Sequence, residues 1–411
     1  MEASAGGPKA APSNTIDTAG EPKAAPSNTI DTIVVGAGPA GLAVGKELRE
    51  RKVPFQILEK EASIAPSWHR HYDRLHLHTA KRYSSLPGMP FPSHSANYPS
   101  RLEVVEYLNA YAERFGLKPR YGVNVERVER NPVGGGWRVR TSEGEIAATR
   151  VVIAAGYNAI PWRPQWAGME HYSGELLHSS AYRNGDRWKG KHVLVVGAGN
   201  SGAEIALDLV ESGARVDLCV RGKLHVTFRD TLGMPTPLPT ILLTKLPLGV
   251  ADAIARAMLR VTVGDLSQWG IEAPDIGPIR GILEHARIPL IDVGTLARIK
   301  SGEIVVRKGI ERFESDGVTF VDGKRQAYDA IVLATGFRPG LDRVLEDSGE
   351  LIDSYGRAAR GGFELRPGLY LVGYSQPATG LLREIGLEAR RTAADIATKR
   401  TVPNSNTGPK E

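Results

Sequence analysis

One arrangement of apolar and polar positions occurs twice along the chain: a short apolar run, a glycine-rich turn, then an amphipathic helix. Ile33–Val35 is the first such run. The turn GAGPAG follows it, a helix pattern extends to about Arg51, and PFQIL forms a second strand ending at Glu59. Strands apolar on both faces suit a parallel sheet covered from both sides. The same elements return from Lys191 onward as HVLVV, GAGNSG, a helix ending near Gly213, and RVDLCV. Each βαβ unit needs a parallel sheet of its own, so the repeat predicts an α/β fold with two doubly wound, Rossmann-like domains.

Two longer stretches alternate instead. GWRVRTSEGEIAATRVVIAAG and EIVVRKGIERFESDGVTFVDGKRQAYDAIVLATG read as antiparallel meanders leading back into a buried strand. Each ends in a small-residue turn, Ala155-Gly156 or Thr335-Gly336, where backbone can pass close to a cofactor. The second meander lies well beyond the second βαβ unit. The first domain is therefore expected to be discontinuous, with the second inserted into it.

The two turns carry the chemistry. Gly36, Gly38 and Gly41 have the spacing in which the first glycine makes the tight turn and the second lets backbone approach a pyrophosphate. The third allows close helix–strand packing, and the helix start offers N–H groups to the anion. Pro39 and Ala40 complete that turn, and Glu59, followed by Lys60, stands where a carboxylate accepts both ribose hydroxyls. Gly197, Gly199 and Gly202, with Asn200 and Ser201, repeat the pattern. At the end of the second unit's second strand stands Arg221, which suits the 2′-phosphate of NADP, whereas a carboxylate would repel it. The first turn is thus assigned to FAD and the second to NADPH. Residues 30–170 and 327–400 are expected to form the FAD-binding domain, and 171–326 the NADPH-binding domain. Residues 1–29 read as a disordered tail, since PKAAPSNTIDT occurs at Pro8–Thr18 and again at Pro22–Thr32 and only the second copy runs into a strand. Residues 401–411 form a C-terminal tail.

Composition narrows the reading. The net charge of +6 comes from 52 basic residues scattered among 46 acidic ones, which argues against nucleic-acid binding. A single cysteine, Cys219, excludes an intrachain disulfide and a dithiol active site, and fits a reducing, cytoplasmic setting. Cys219 itself reads as a packed core thiol. No secretory signal is visible. The most membrane-like stretch, Thr231–Thr244, holds three prolines and falls short of the roughly 20 apolar residues a span needs.

A family resemblance enters between Glu170 and Tyr182. EHYSGELLHSSAY is similar to the signature of flavin-containing monooxygenases, with Tyr172, Gly174, His178 and Tyr182 at its positions and tyrosine where phenylalanine is usual. The stretches YDRLHLHTAKRYSSLPGMPFP, GAGNSGAEIALDL, HVTFRDTLG, IDVGTLARIKSGEIVV and DAIVLATGFRP resemble the YUCCA-type members, which convert indole-3-pyruvate to indole-3-acetate. The resemblance covers about Thr29 to Thr398. Two departures stand out: AAG at Ala154–Gly156 where ATG is common, and His78 where general members carry asparagine but the YUCCA-like group carries histidine.

The resemblance implies that NADPH reduces FAD and that O2 adds to give a C4a-(hydro)peroxyflavin. Attack on an aromatic α-keto acid with loss of CO2 then gives the shortened acid. N- or S-oxygenation of a soft nucleophile, and an NADPH-dependent reductase serving a separate partner, are the alternatives. His78 is the candidate for a hydrogen bond near flavin N5 or the peroxide, Lys81 for orienting a substrate carboxylate, and Trp68 for packing near the isoalloxazine. Val125 is the expected adenine-binding backbone position, and His178 is expected to be structural. His76 and His78 would share one face of a strand, yet no cysteine or carboxylate accompanies them, so no metal site is read. The apolar stretch Leu232–Val263 is expected either to roof a substrate tunnel or to cap the core.

Overall fold

The computed structural model describes residues 29–401, apart from 133–134, 232–233, 236–238, 240–241, 286, 355, 359, 376 and 378. The first copy of the duplicated segment, part of the stretch 231–244 and the tail 402–411 lie outside the described residues.

The first unit begins with β1 (Ile30–Val35), α1 (Pro39–Glu50) and β2 (Phe55–Leu58). Ile33 and Val34 are wholly buried, as the apolar run requires of a strand covered on both faces. Helix α1 starts with Pro39 in its first turn, and its residues Ala40 to Leu48 are all buried. The small side chains of PAGLAVG therefore let α1 lie between the sheet and the C-terminal helix. Next come α2 (Arg101–Arg114), β3 (Val125–Arg130), β4 (Trp137–Thr141) and β5 (Gly144–Ile153). β3, β4 and β5 form the expected antiparallel meander, and β5 runs on parallel to β1.

The second unit is a five-stranded, wholly parallel sheet built from β6 (Glu175–His178), β7 (His192–Val196), β8 (Arg215–Cys219), β9 (Ile304–Arg307) and β10 (Ala330–Leu333), in the order β9-β8-β7-β10-β6. Helix α3 (Asn200–Glu211) links β7 to β8. Here the structure corrects the sequence reading. Ala330–Leu333 was expected to lead back into the first domain from residue 327, but it lies between β7 and β6 in the second sheet. The antiparallel strands before it, Ile310–Phe313, Gly317–Phe320 and Arg325–Ala327, form a separate three-stranded sheet. An apolar strand preceded by a meander does not specify which sheet it joins, because pairing is decided by register with distant strands. The chain returns to the first sheet at Glu364–Arg366 and β11 (Leu369–Leu371), where β11 pairs parallel with β5. It then closes with α4 (Leu381–Thr401), which packs on α1.

The two stretches that cross between the sheets are bound to each other. Ile160–Pro161 pairs antiparallel with Phe337–Arg338, Trp162 N donates to Gly336 O (2.9 Å), and the Thr335 hydroxyl donates to Trp162 O. The Arg338 guanidinium stacks 3.6 Å over the Trp162 ring. Among the described residues no helix is long and apolar enough to cross a membrane.

Candidate functional site

The two glycine turns are near-copies. Gly36 has φ +105° and a Cβ there would sit 2.7 Å from Ala154 O; Gly197 has φ +109° and a Cβ would sit 2.6 Å from Ala334 O. A Cβ on either third glycine, Gly41 or Gly202, would fall 1.8 Å from the carbonyl oxygen of the first. No other residue fits either position without moving the helix. The middle glycines differ in kind: nothing lies within 4 Å of a Cβ placed at Gly38 or Gly199. Both precede a helix whose start has no side-chain cap, so the first N–H groups of each face an open cradle.

The strands beyond the turns set the difference between them. Gly36 N donates to Leu58 O and Gly197 N to Cys219 O, so the position after Leu58, Glu59, matches the position after Cys219. Glu59 is 5% exposed, and its carboxylate accepts from Ala37 N (2.8 Å) and Glu61 N (3.0 Å), held beside the first turn. Its counterpart is the buried, apolar Val220. Arg221, expected at the matching strand end, stands one residue further, where the first unit has Lys60, and both are exposed. The second turn is thus relieved of a carboxylate and has a cation beside it.

Several predicted residues gather around these turns. Trp68 is half-buried against the first core on a short helix hung from the turn, through Trp68 N to Ala65 O and Ala65 N to Ala37 O. Val125 starts β3 at a register irregularity, two residues after Val123 N donates to Glu59 O. Thr335 and Gly336 follow Ala334, which abuts the second turn rather than the first. Asn200 is partly committed, since its side-chain oxygen accepts from Ile291 N (2.8 Å).

His78 lies between the units. Its Nε2 meets the Glu204 carboxylate of α3, and Glu204 is 3% exposed. The buried Tyr72 hydroxyl interacts with Ser201 and Glu204. Burial pushes the Tyr72 hydroxyl well above its ordinary pKa, which keeps it a neutral partner. The segment carrying His76 and His78 is not a strand: His76 only bridges to Ser100, and its Nδ1 turns back to Arg74 O.

Lys81, the candidate for orienting a substrate carboxylate, is engaged with a neighbouring loop. Its ammonium donates to Pro92 O (3.3 Å), Ser93 O (2.7 Å) and Ser95 O. All three of its N–H bonds fasten a loop, which leaves none for a substrate carboxylate.

The Tyr172–Tyr182 signature is architectural. The Tyr172 hydroxyl donates to Tyr328 O (2.8 Å) and lies 2.3 Å from where a Gly174 Cβ would be, so the ring excludes any larger residue there. Fully buried His178 joins Gly336 O through Nε2 (3.0 Å), and burial lowers its pKa. Tyr182 donates to Asp208 on α3 (2.6 Å) and stacks on Trp188. Cys219 is a core thiol whose pKa burial pushes up to about 12.

Sequence reasoning passed over a third backbone approach to the first turn. Gly373, just after β11, would place a Cβ 3.2 Å from the Ala40 Cβ, and its N–H donates to buried Glu388 on α4 (2.7 Å). Burial raises the Glu388 pKa, against the Ser375 hydroxyl and the Gly373 N–H beside its carboxyl, and the buried Tyr374 hydroxyl faces the backbone of Ala155. The signal was present: GLYLVGY repeats the strand-then-glycine pattern of the other turns.

Paired Rossmann-type units with open phosphate cradles define a two-nucleotide flavoprotein, and the comparisons agree. Residues 33–232 match the family described as pyridine nucleotide-disulphide oxidoreductase. Indole-3-pyruvate monooxygenase YUCCA1 of Oryza sativa subsp. japonica is 41% identical over 370 residues, covering 89% of this chain and 90% of that protein. Probable indole-3-pyruvate monooxygenase YUCCA9 of Arabidopsis thaliana is 36% identical over 392 residues, 92% of each. Among solved structures, a flavin-containing monooxygenase from Stenotrophomonas maltophilia has a TM-score of 0.68 at 24% identity, covering 91% of this chain and 100% of that one. An oxidized steroid monooxygenase bound to NADP has a TM-score of 0.70 at 20% identity, covering 91% and 85%. These structural likenesses bear on the fold. The sequence relatives decide the family: the chain belongs to the YUCCA-type flavin-containing monooxygenases. It is an oxidoreductase that uses FAD and NADPH. The residues present fit both groups, with two uncapped helix starts and two glycine cradles that a side chain would leave open only at Gly38 and Gly199.

Proposed function

We propose that this monooxygenase acts on an aromatic α-keto acid, indole-3-pyruvate first, and releases CO2 and the acid one carbon shorter. The single observation that carries the substrate is the 41% identity, along nine-tenths of the chain, with an indole-3-pyruvate monooxygenase. His78, the residue of the YUCCA-like group at its position, adds to it.

In this reading Gly36, Gly38, Pro39, Ala40 and Gly41 cradle the FAD pyrophosphate on the start of α1, with Glu59 accepting the ribose hydroxyls. Val125 offers backbone to the adenine, Trp68 walls the flavin, and Lys60 lies beside Glu59 at the cofactor's ribose end. Gly197 to Gly202 do the same for NADPH, with Arg221 facing its 2′-phosphate. Bound FAD supplies hydride acceptance and oxygen activation. The chain orients the two nucleotides, keeps water from the cleft, and holds a proton at His78. Lys81 braces the loop behind that histidine. The lone buried thiol, Cys219, supports a cytoplasmic enzyme.

The test is stoichiometry. Purified holoenzyme with NADPH, O2 and indole-3-pyruvate should give indole-3-acetate and CO2 in about a one-to-one ratio with NADPH consumed. Hydrogen peroxide as the sole oxygen product, at a rate the keto acid leaves unchanged, would overturn the substrate. An oxygenated amine or sulfide with its carbon skeleton intact would move the enzyme to the other oxygenation class.

A further inference from the structure

Glu204 is a carboxylate in the second turn of α3, two residues beyond the glycine that fixes the helix against the second cradle. The first unit reaches it with the segment 71–81. That segment is anchored at home by Leu77 N to Pro99 O (2.8 Å) and Lys81 N to Asn97 O (2.7 Å), and Arg74 pairs with Glu211 at the far end of α3. His78 and Tyr72 converge on Glu204 between these anchors.

We propose that Glu204 is a positioning residue that holds His78 in one orientation and tautomer, with Nδ1 presented to the cleft between the two turns. The inference rests on the reading of a flavin lying in that cleft. A carboxylate at Nε2 makes that nitrogen the N–H donor and leaves Nδ1 to accept or return a proton. Nδ1 makes no hydrogen bond among the described residues. Glu204 is itself fixed, since it is buried and the neutral Tyr72 hydroxyl lies against it. The other charged or titratable groups nearby are His71 and Arg74 on the same segment, with Arg70, Arg101 and Arg183 around His71. Burial, and then those arginines, hold the His71 pKa low, so His71 does not compete as a proton holder near neutral pH.

The pair also joins the units. The imidazole belongs to the FAD side and the carboxylate to the NADPH side, so His78 is aimed only while the two turns keep their relative position.

The experiment is a mutant cycle on the holoenzyme: Glu204→Gln, Glu204→Asp, His78→Asn, and the Gln/Asn double. The readouts are flavin bleaching by NADPH and reoxidation in O2 without organic substrate, from about pH 6 to 9. Glu204→Gln should slow a limiting rate by about 10–100-fold and change its pH profile, with the NADPH concentration dependence moving less than about threefold. Glu204→Asp should recover part of the rate. On the His78→Asn background, Glu204→Gln should add less than about twofold, because its partner is already gone.

Multiplying effects in the double variant would overturn the proposal. So would a Glu204→Gln protein that loses thermal stability or FAD content while its pH profile stays as in the wild type. If Glu204→Gln fails to fold, Glu204→Asp and His78→Asn run the same cycle. No keto acid is present, so a wrong substrate assignment leaves this result untouched.

Discussion

The two nucleotide turns share a backbone and differ in the strand end that lies beside each. Gly36 and Gly197, Gly41 and Gly202, and the open Gly38 and Gly199 agree to within about 0.1 Å in the contacts that a side chain would violate. One position past each second strand, the first unit has buried Glu59 and the second has buried Val220. In the proposed reading the shared sterics make both sites dinucleotide cradles, and one carboxylate, present or absent, separates the two ligands. Specificity here is a matter of which charge is left out as much as which is put in.

The largest effect expected is at the shared feature. Gly41→Ala and Gly202→Ala each set a methyl on a carbonyl oxygen, at a cost of about 3 kcal/mol or more. Gly41→Ala should yield colourless protein. Gly202→Ala should stay yellow and resist bleaching by NADPH. Absorbance at the flavin band reads both, and equal loss of colour in the two would erase the assignment of the turns.

Next comes a position where the second strands differ. Asp217 occupies the place that Gln56 holds in the first unit, counting back from Cys219 and Leu58. Burial opposes its ionisation, yet His192, Tyr328 (2.7 Å) and Arg307 (2.6 Å) hold its carboxyl below the usual range. A depressed native pKa stabilises the fold above the ordinary carboxylate value and loses that contribution as pH falls through the native value. Asp217→Asn should therefore cost about 3 kcal/mol at neutral pH, shrinking in acid, whereas Gln56→Ala should cost under about 0.5 kcal/mol. Denaturant melts at pH 7 and pH 3 measure the gap; a gap independent of pH would count against the ionised Asp217.

The smallest effect tests the cation beside the second turn. Arg221→Ala should raise the KM for NADPH by about tenfold, about 1.4 kcal/mol, and leave that for NADH within about twofold. Equal changes for both nucleotides would remove the 2′-phosphate role.

Much of this was legible in the sequence because part of the glycine pattern is a local constraint: Gly36 turns at φ +105° and a Cβ on Gly41 would fall on Gly36 O, both within six residues. Glu59 was legible because it stands at the end of the strand that runs beside the turn, in the same βαβ unit. Glu204 was not, since an acidic residue inside an amphipathic helix looks solvated until a histidine 126 positions earlier is brought against it. The sheet membership of Ala330–Leu333 and the one-residue offset of Arg221 depend on hydrogen-bond register, which pattern does not encode. The carbonyls that Lys81 meets were not legible either, because a lysine's partners depend on the loop that folds against its ammonium.

The paired crossing at Ile160–Pro161 and Phe337–Arg338 has a mechanical consequence. Two connections hydrogen-bonded to each other are two separate attachments between the units where one alone would suffice to join them. Cutting one of them should therefore leave the two halves covalently joined through the other, with the cut end still hydrogen-bonded beside it.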